Sequence, residues 1–144
     1  MKSIIFSVFM LFALGLTAQT TKEAQIFTTK EGAIKGYDPV SYFTIGKPGK
    51  GIKTISHSWQ GSTWYFTSES NKKLFVANPE KYAPQYGGYC AYGWAQGYAV
   101  KIDPDAWAIV DSKLYLNYSK GVQKDWDKDR EGFIKKAEAN YAKR

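Results

Sequence analysis

Ile55-Ser56-His57-Ser58-Trp59-Gln60-Gly61-Ser62-Thr63-Trp64-Tyr65-Phe66 is the stretch on which the fold turns. Two runs rich in β-branched and aromatic residues flank Gln60-Gly61-Ser62, a pattern that predicts an antiparallel hairpin. Just past it the chemistry changes. Ser68 has the hydroxyl that caps a helix N-terminus, and Glu69 puts a negative charge in the first turn. Leu74, Phe75 and Ala77 are expected to form a short buried face. Asn78-Pro79 should end that helix, because a residue before proline is pushed out of the α region.

Further along, Tyr82, Tyr86, Tyr89 and Tyr92 recur at helical spacing, but Gly87-Gly88 interrupts them. The expectation is a loop through Gly88 and a short helix over 89–96, stopped by Gly97. Asp103-Pro104 opens a turn, and residues 107–110 and 114–118 make a second hairpin around Asp111-Ser112-Lys113. One last helix is expected over 119–142, with Val122, Trp126, Phe133, Ile134, Ala137 and Tyr141 near one apolar stripe and Gly132 weakening its middle. Upstream, Ile26-Phe27-Thr28 is expected as a short strand, Asp38-Pro39 as a turn and 46–51 as a surface loop. Two hairpins with interspersed helices make an α+β unit. The expected domain spans 32–144, behind a flexible lead-in over 19–31.

Residues 1–18 carry the marks of a secretion signal: Lys2, an apolar run over 4–16, and a small residue, Ala18, before the expected cleavage. The run falls short of the roughly 20 apolar residues that span a bilayer. No cysteine follows it and no Arg-Arg pair precedes it, so neither a lipoprotein anchor nor a twin-arginine signal is indicated. The expectation is an exported bacterial protein, periplasmic or secreted, with no stable membrane anchor after cleavage. The net charge of the 144-residue chain is +7. Its basic residues are scattered, and between Lys124 and Glu131 they alternate with acids, which describes a solvated helix face rather than a phosphate track. Nucleic acid is therefore not an expected partner.

The chain has a single cysteine, Cys90, and a single histidine, His57. Counting excludes Cys₄ and Cys₂His₂ zinc sites. A helix starting near Tyr89 would favour a thiolate at Cys90 through its free N–H groups and dipole; a buried thiol acting as a small apolar side chain is the plainer alternative. His57 is a metal-ligand candidate or a backbone-bonded strand residue. Together His57 and Cys90 are the candidate metal ligands, with copper the metal that suits two soft donors. Tyr86, Tyr89, Tyr92 and Trp94 are candidates for a ligand cleft, against core packing. Asp38, Asp103, Asp105 and Asp111 stand beside turn residues, where Asp bonds the local backbone, and no catalytic residue is assigned.

Trp64-Tyr65-Phe66-Thr67-Ser68, Leu74-Phe75 and Asn78-Pro79-Glu80-Lys81-Tyr82 resemble the YHS domain, as do Asp38-Pro39-Val40 and His57-Ser58. The run from Tyr82 to Ala91, the Leu114-Tyr115-Leu116-Asn117-Tyr118 strand and a Trp-bearing terminal helix resemble its secreted, stand-alone subfamily. The resemblance implies a small α+β unit and a role near metals. It also implies a departure. Metal-binding members carry a Cys after the Asp-Pro-Val turn and two more about the helix start, where this chain has Ser41, Thr67 and Asn71. Hydroxyls and an amide are poor ligands for Cu(I) or Zn(II).

Three functional classes follow: a non-enzymatic binding or accessory protein with copper handling as its specific form, a thiol enzyme or redox protein using Cys90 with His57, and a protein-interaction module. The corresponding partners are a metal ion or another exported protein.

Overall fold

The computed structural model describes residues 24–144; the expected signal over 1–18 lies outside the described residues. In chain order the elements are β1 (Thr28–Thr29), β2 (Gly32–Ala33), α1 (Ser41–Thr44), β3 (Ile52–Trp59), β4 (Ser62–Phe66), α2 (Glu69–Ala77), α3 (Pro79–Tyr82), α4 (Ala91–Ala95), β5 (Asp103–Val110), β6 (Lys113–Asn117), α5 (Lys120–Asp127) and α6 (Arg130–Tyr141). Short 3-10 turns cover Ile34–Gly36 and Gln85–Gly88. The strands form three two-stranded antiparallel ribbons, β1-β2, β3-β4 and β5-β6, and the fold is α+β.

The two long hairpins share one design. Trp59 pairs with Ser62, and Gln60 and Gly61 take positive φ of 49° and 73°. Val110 pairs with Lys113, and Asp111 and Ser112 take 50° and 62°. Two central residues at positive φ match the twist of the flanking strands. Each hairpin also has a register shift, between Ile52 and Ser56 in one and between Asp103 and Trp107 in the other.

Ser68 caps α2 as expected, its Oγ accepting from the Asn71 N–H at 3.1 Å. The buried face of α2 is not the expected one. Phe75 and Asn71 are buried, four residues apart on one side, while Leu74 and Ala77 are exposed. The expected helix over 89–96 is shortened to Ala91–Ala95, because Cys90 itself takes the cap position. Gly97 follows at φ 89°.

The single helix expected over 119–142 is two. Ser119 caps α5 through Val122 N–H, and Asp129 breaks the chain and caps α6, its Oδ1 accepting from Gly132 N–H at 3.0 Å. Gly132 therefore sits in a first turn. A Cβ there would collide with the Asp129 carboxylate, so the glycine belongs to the cap.

One core cluster gathers Val40, Tyr42, Trp64, Phe66, Phe75, Cys90, Leu114 and Leu116 between the hairpins. A second, beneath α5 and α6, gathers Tyr86, Trp94, Tyr115, Trp126 and Ala137. Within the stretch read as lead-in, the chain is already docked at Ile26, which is buried. Phe27 N–H donates to Gly87 O at 2.8 Å. Gly87 holds φ 65° directly against the Gln25 carbonyl, an approach that leaves no room for a Cβ.

Candidate functional site

Asp38 is fully buried at the base of the β3-β4 ribbon. Its Oδ1 accepts from the Val40 N–H at 2.8 Å, the local turn bond expected of an Asp before proline. Its Oδ2 reaches across the fold and accepts from Thr67 N–H at 2.8 Å, Thr67 Oγ1 at 2.9 Å and Asn71 Nδ2 at 2.8 Å. Ser41 Oγ lies 3.4 Å from Thr67 Oγ1. Gly49 closes the outside: its carbonyl accepts from Asp38 N–H, and a Cβ there would stand 2.8 Å from Ser41 Oγ.

Ser41, Thr67 and Asn71 thus converge on one carboxylate. Three elements bring them there: the chain entering α1, the end of β4 and the first turn of α2. Both oxygens of Asp38 face N–H or O–H donors, and the remaining groups are hydroxyls and an amide. This set does not fit Cu(I) or Zn(II), which need thiolate or imidazole lone pairs directed at the metal.

Cys90 is buried and makes the N-cap of α4. Its Sγ accepts from Gly93 N–H at 3.3 Å and Tyr118 N–H at 3.2 Å, and the thiol donates to Asn117 Oδ1 at 3.6 Å. Asn117 Oδ1 also accepts from Tyr92 N–H at 3.0 Å. Burial pushes the thiol pKa above its ordinary value, against a smaller lowering by the Gly93, Tyr118 and Tyr92 N–H groups. Desolvation therefore outweighs the helix end that favours a thiolate.

His57 stands on β3. It pairs with Trp64 across the hairpin and sets its ring edge-on to Phe75, centroids 6.4 Å apart. No hydrogen bond joins it to Cys90 among the described residues. No group of three or more His, Cys, Asp and Glu able to hold a metal occurs among the described residues.

The four aromatic candidates divide. Tyr86 and Trp94 are buried in the second cluster, both against Tyr141, at 5.5 and 5.2 Å. Tyr89 packs on Phe27 and Tyr92 on Phe133. The Trp94 Nε1 and the Tyr86 hydroxyl have no hydrogen-bond partner among the described residues. Tyr115, packed on Tyr86, lines a cleft against α6.

Comparison with known proteins matches part of the chain. Residues 40–86 match the YHS domain. The YHS match begins two residues after Asp38, takes in Ser41, His57, Thr67 and Asn71, and ends at Tyr86, before Cys90. It covers less than half of the chain. The YHS domain is associated with metal handling. No curated protein and no solved structure matches the chain.

Two of these residues were missed in the sequence, one hidden and one not. Asp38 reads as one more turn residue, since nothing local announces its bonds to residues 29 and 33 positions away. Asn117 had a signal: it is a polar residue closing the apolar run Leu114-Tyr115-Leu116, and it is fully buried.

Proposed function

We propose that this protein is an exported, non-enzymatic binding or accessory protein whose YHS segment is a self-supporting scaffold closed by hydrogen bonds. The observation that carries this reading is the Asp38 carboxylate, which binds Val40, Thr67 and Asn71 and, through Thr67, reaches Ser41; Ser41, Thr67 and Asn71 stand where the resemblance implies cysteines. The second support is Cys90. A thiol enclosed by two N–H donors and an amide oxygen, with its pKa raised, is poorly placed to attack a substrate. Copper handling through His57 and Cys90 is the weaker form of the reading, because a metal would have to displace those N–H donors inside a buried cap.

Alkylation of native protein with iodoacetamide, followed by mass spectrometry, tests the reading. Cys90 should stay unmodified at neutral pH and react once the chain is unfolded in urea. Rapid modification of the folded protein, with a thiol titrating below its ordinary range, would establish the thiol-enzyme alternative instead. Export is tested by the mature N-terminus, expected at Gln19 outside the cytoplasm; an intact chain retained in the cytoplasm would refute it.

A further inference from the structure

The turn end of the β5-β6 hairpin and the outer side of α6 enclose a cleft of about 390 Å³, within the range of small-molecule sites. Its floor is apolar: Val110, Tyr115 and Ile134. Tyr115 is 3% exposed. Its hydroxyl, although it belongs to a residue lining the cleft, makes no hydrogen bond among the described residues. Behind it lie Tyr86, at 5.9 Å, and Trp126, at 5.5 Å. A phenol hydroxyl that no side chain engages, on the wall of an open cleft, can donate to or accept from a bound molecule.

The charges on the walls decide the partner's sign. Arg130 bonds Asp127 and lies over the Trp126 ring, and Lys135 bridges to Glu131. Lys113 and Asp111 line the hairpin-turn end with no ion pair between them among the described residues, so two unpaired carboxylates, Asp111 and Glu138, face one unpaired ammonium. Glu138 is left without a cation among the described residues. Glu138 lines the same cleft as Tyr115; behind burial and, for Tyr86, the neighbouring Tyr115 phenol, its charge raises the pKa of both.

We propose that this cleft binds a small organic cation: a primary amine with an aromatic or apolar body, the ammonium held between Glu138 and the Tyr115 hydroxyl and the body lying on Ile134 and Val110. Carboxylate, phenol oxygen and ring face together recognise ammonium groups. The inference rests on the protein being a binding protein and names the chemistry of what it binds.

Amide NMR of the labelled mature chain tests it, with phenethylamine as probe and 3-phenylpropionate and 2-phenylethanol as its anionic and neutral counterparts. Phenethylamine should give saturable shifts at Lys113, Tyr115, Ile134 and Glu138, with a Kd in about the millimolar range for so small a ligand. E138Q should weaken it roughly fivefold, the upper range for an exposed charge pair. Y115F should weaken it roughly threefold, with the rest of the spectrum unchanged. No saturable shift at these residues, tighter binding of 3-phenylpropionate, or an unaltered Kd in E138Q would each overturn the proposal. Iodoacetamide protection of Cys90 in the same sample separates this failure from failure of the binding-protein reading.

Discussion

Replacing Asp38 should reveal how the YHS segment is held together. Asp38→Ala would strand three N–H groups, those on Val40 and Asn71 buried and that on Thr67 part-buried; the Thr67 hydroxyl can still turn to Ser41. At about 1–3 kcal/mol for each unsatisfied donor, the total approaches the whole stability of a small domain. Asp38→Asn is therefore the informative change. It keeps the shape and one acceptor, but sets an NH₂ against N–H donors on the other side, for an expected cost of about 2–3 kcal/mol. Ser41→Ala removes only the 3.4 Å contact with Thr67 and should cost under about 1 kcal/mol. Urea titration followed by tryptophan fluorescence measures all three, since Trp64 is fully buried in the same hairpin. The D38N/N71A double variant should cost less than the sum of its parts, because both act on one network. A D38N cost within about 0.5 kcal/mol of zero, the range of ordinary surface changes, or strict additivity with N71A, would refute the reasoning.

Alkali should destabilise the protein. Burial raises Cys90 above the ordinary thiol value of 9.0, and Tyr42 and Tyr86 above the ordinary phenol value of 10.0. The folded state keeps these protons where the unfolded state loses them, so stability is full below pH 9 and falls as pH rises through and above 10; urea midpoints across that range should decline, and C90A should remove the earliest part of the fall. Gly132→Ala should cost more than the helix-favouring effect of alanine returns, because the new Cβ meets the Asp129 carboxylate; a lower urea midpoint is the expected outcome, and a raised one would deny the cap its role. Gly87→Ala, at φ 65° against Gln25 O, should release the chain at Phe27, read as faster hydrogen exchange at the Phe27 amide with the α6 amides unchanged.

Both hairpins were legible in the sequence because turn chemistry and strand composition agree locally: Gln60-Gly61 and Asp111-Ser112 each sit between β-forming runs. Ser68 was legible for the same reason. What escaped depends on partners distant in the chain. Leu74 reads as a core residue until Asn71, drawn inward by Asp38, rotates α2 so that Phe75 alone carries the apolar contact. The break at Asp129 was masked by an apolar stripe running through both halves, and the sign was Asp129 with Gly132 three residues on, a cap followed by a residue without a Cβ. In the site, the helix expected from Tyr89 begins two residues later, and Cys90 is its cap. What composition could not convey is that Asn117 and the Tyr118 amide close over it. The cleft at Tyr115 and Glu138 joins a strand to a helix whose facing sides no local pattern specifies.

Metal loading puts the matter to its most direct trial. Mature protein incubated with Cu(I) or Zn(II), desalted and assayed for metal should retain well under one equivalent, and its melting temperature should be the same with and without chelator. One equivalent of tightly held metal, lost in D38N, N71A or C90A and accompanied by a lower melting temperature on chelation, would contradict a scaffold closed by hydrogen bonds alone.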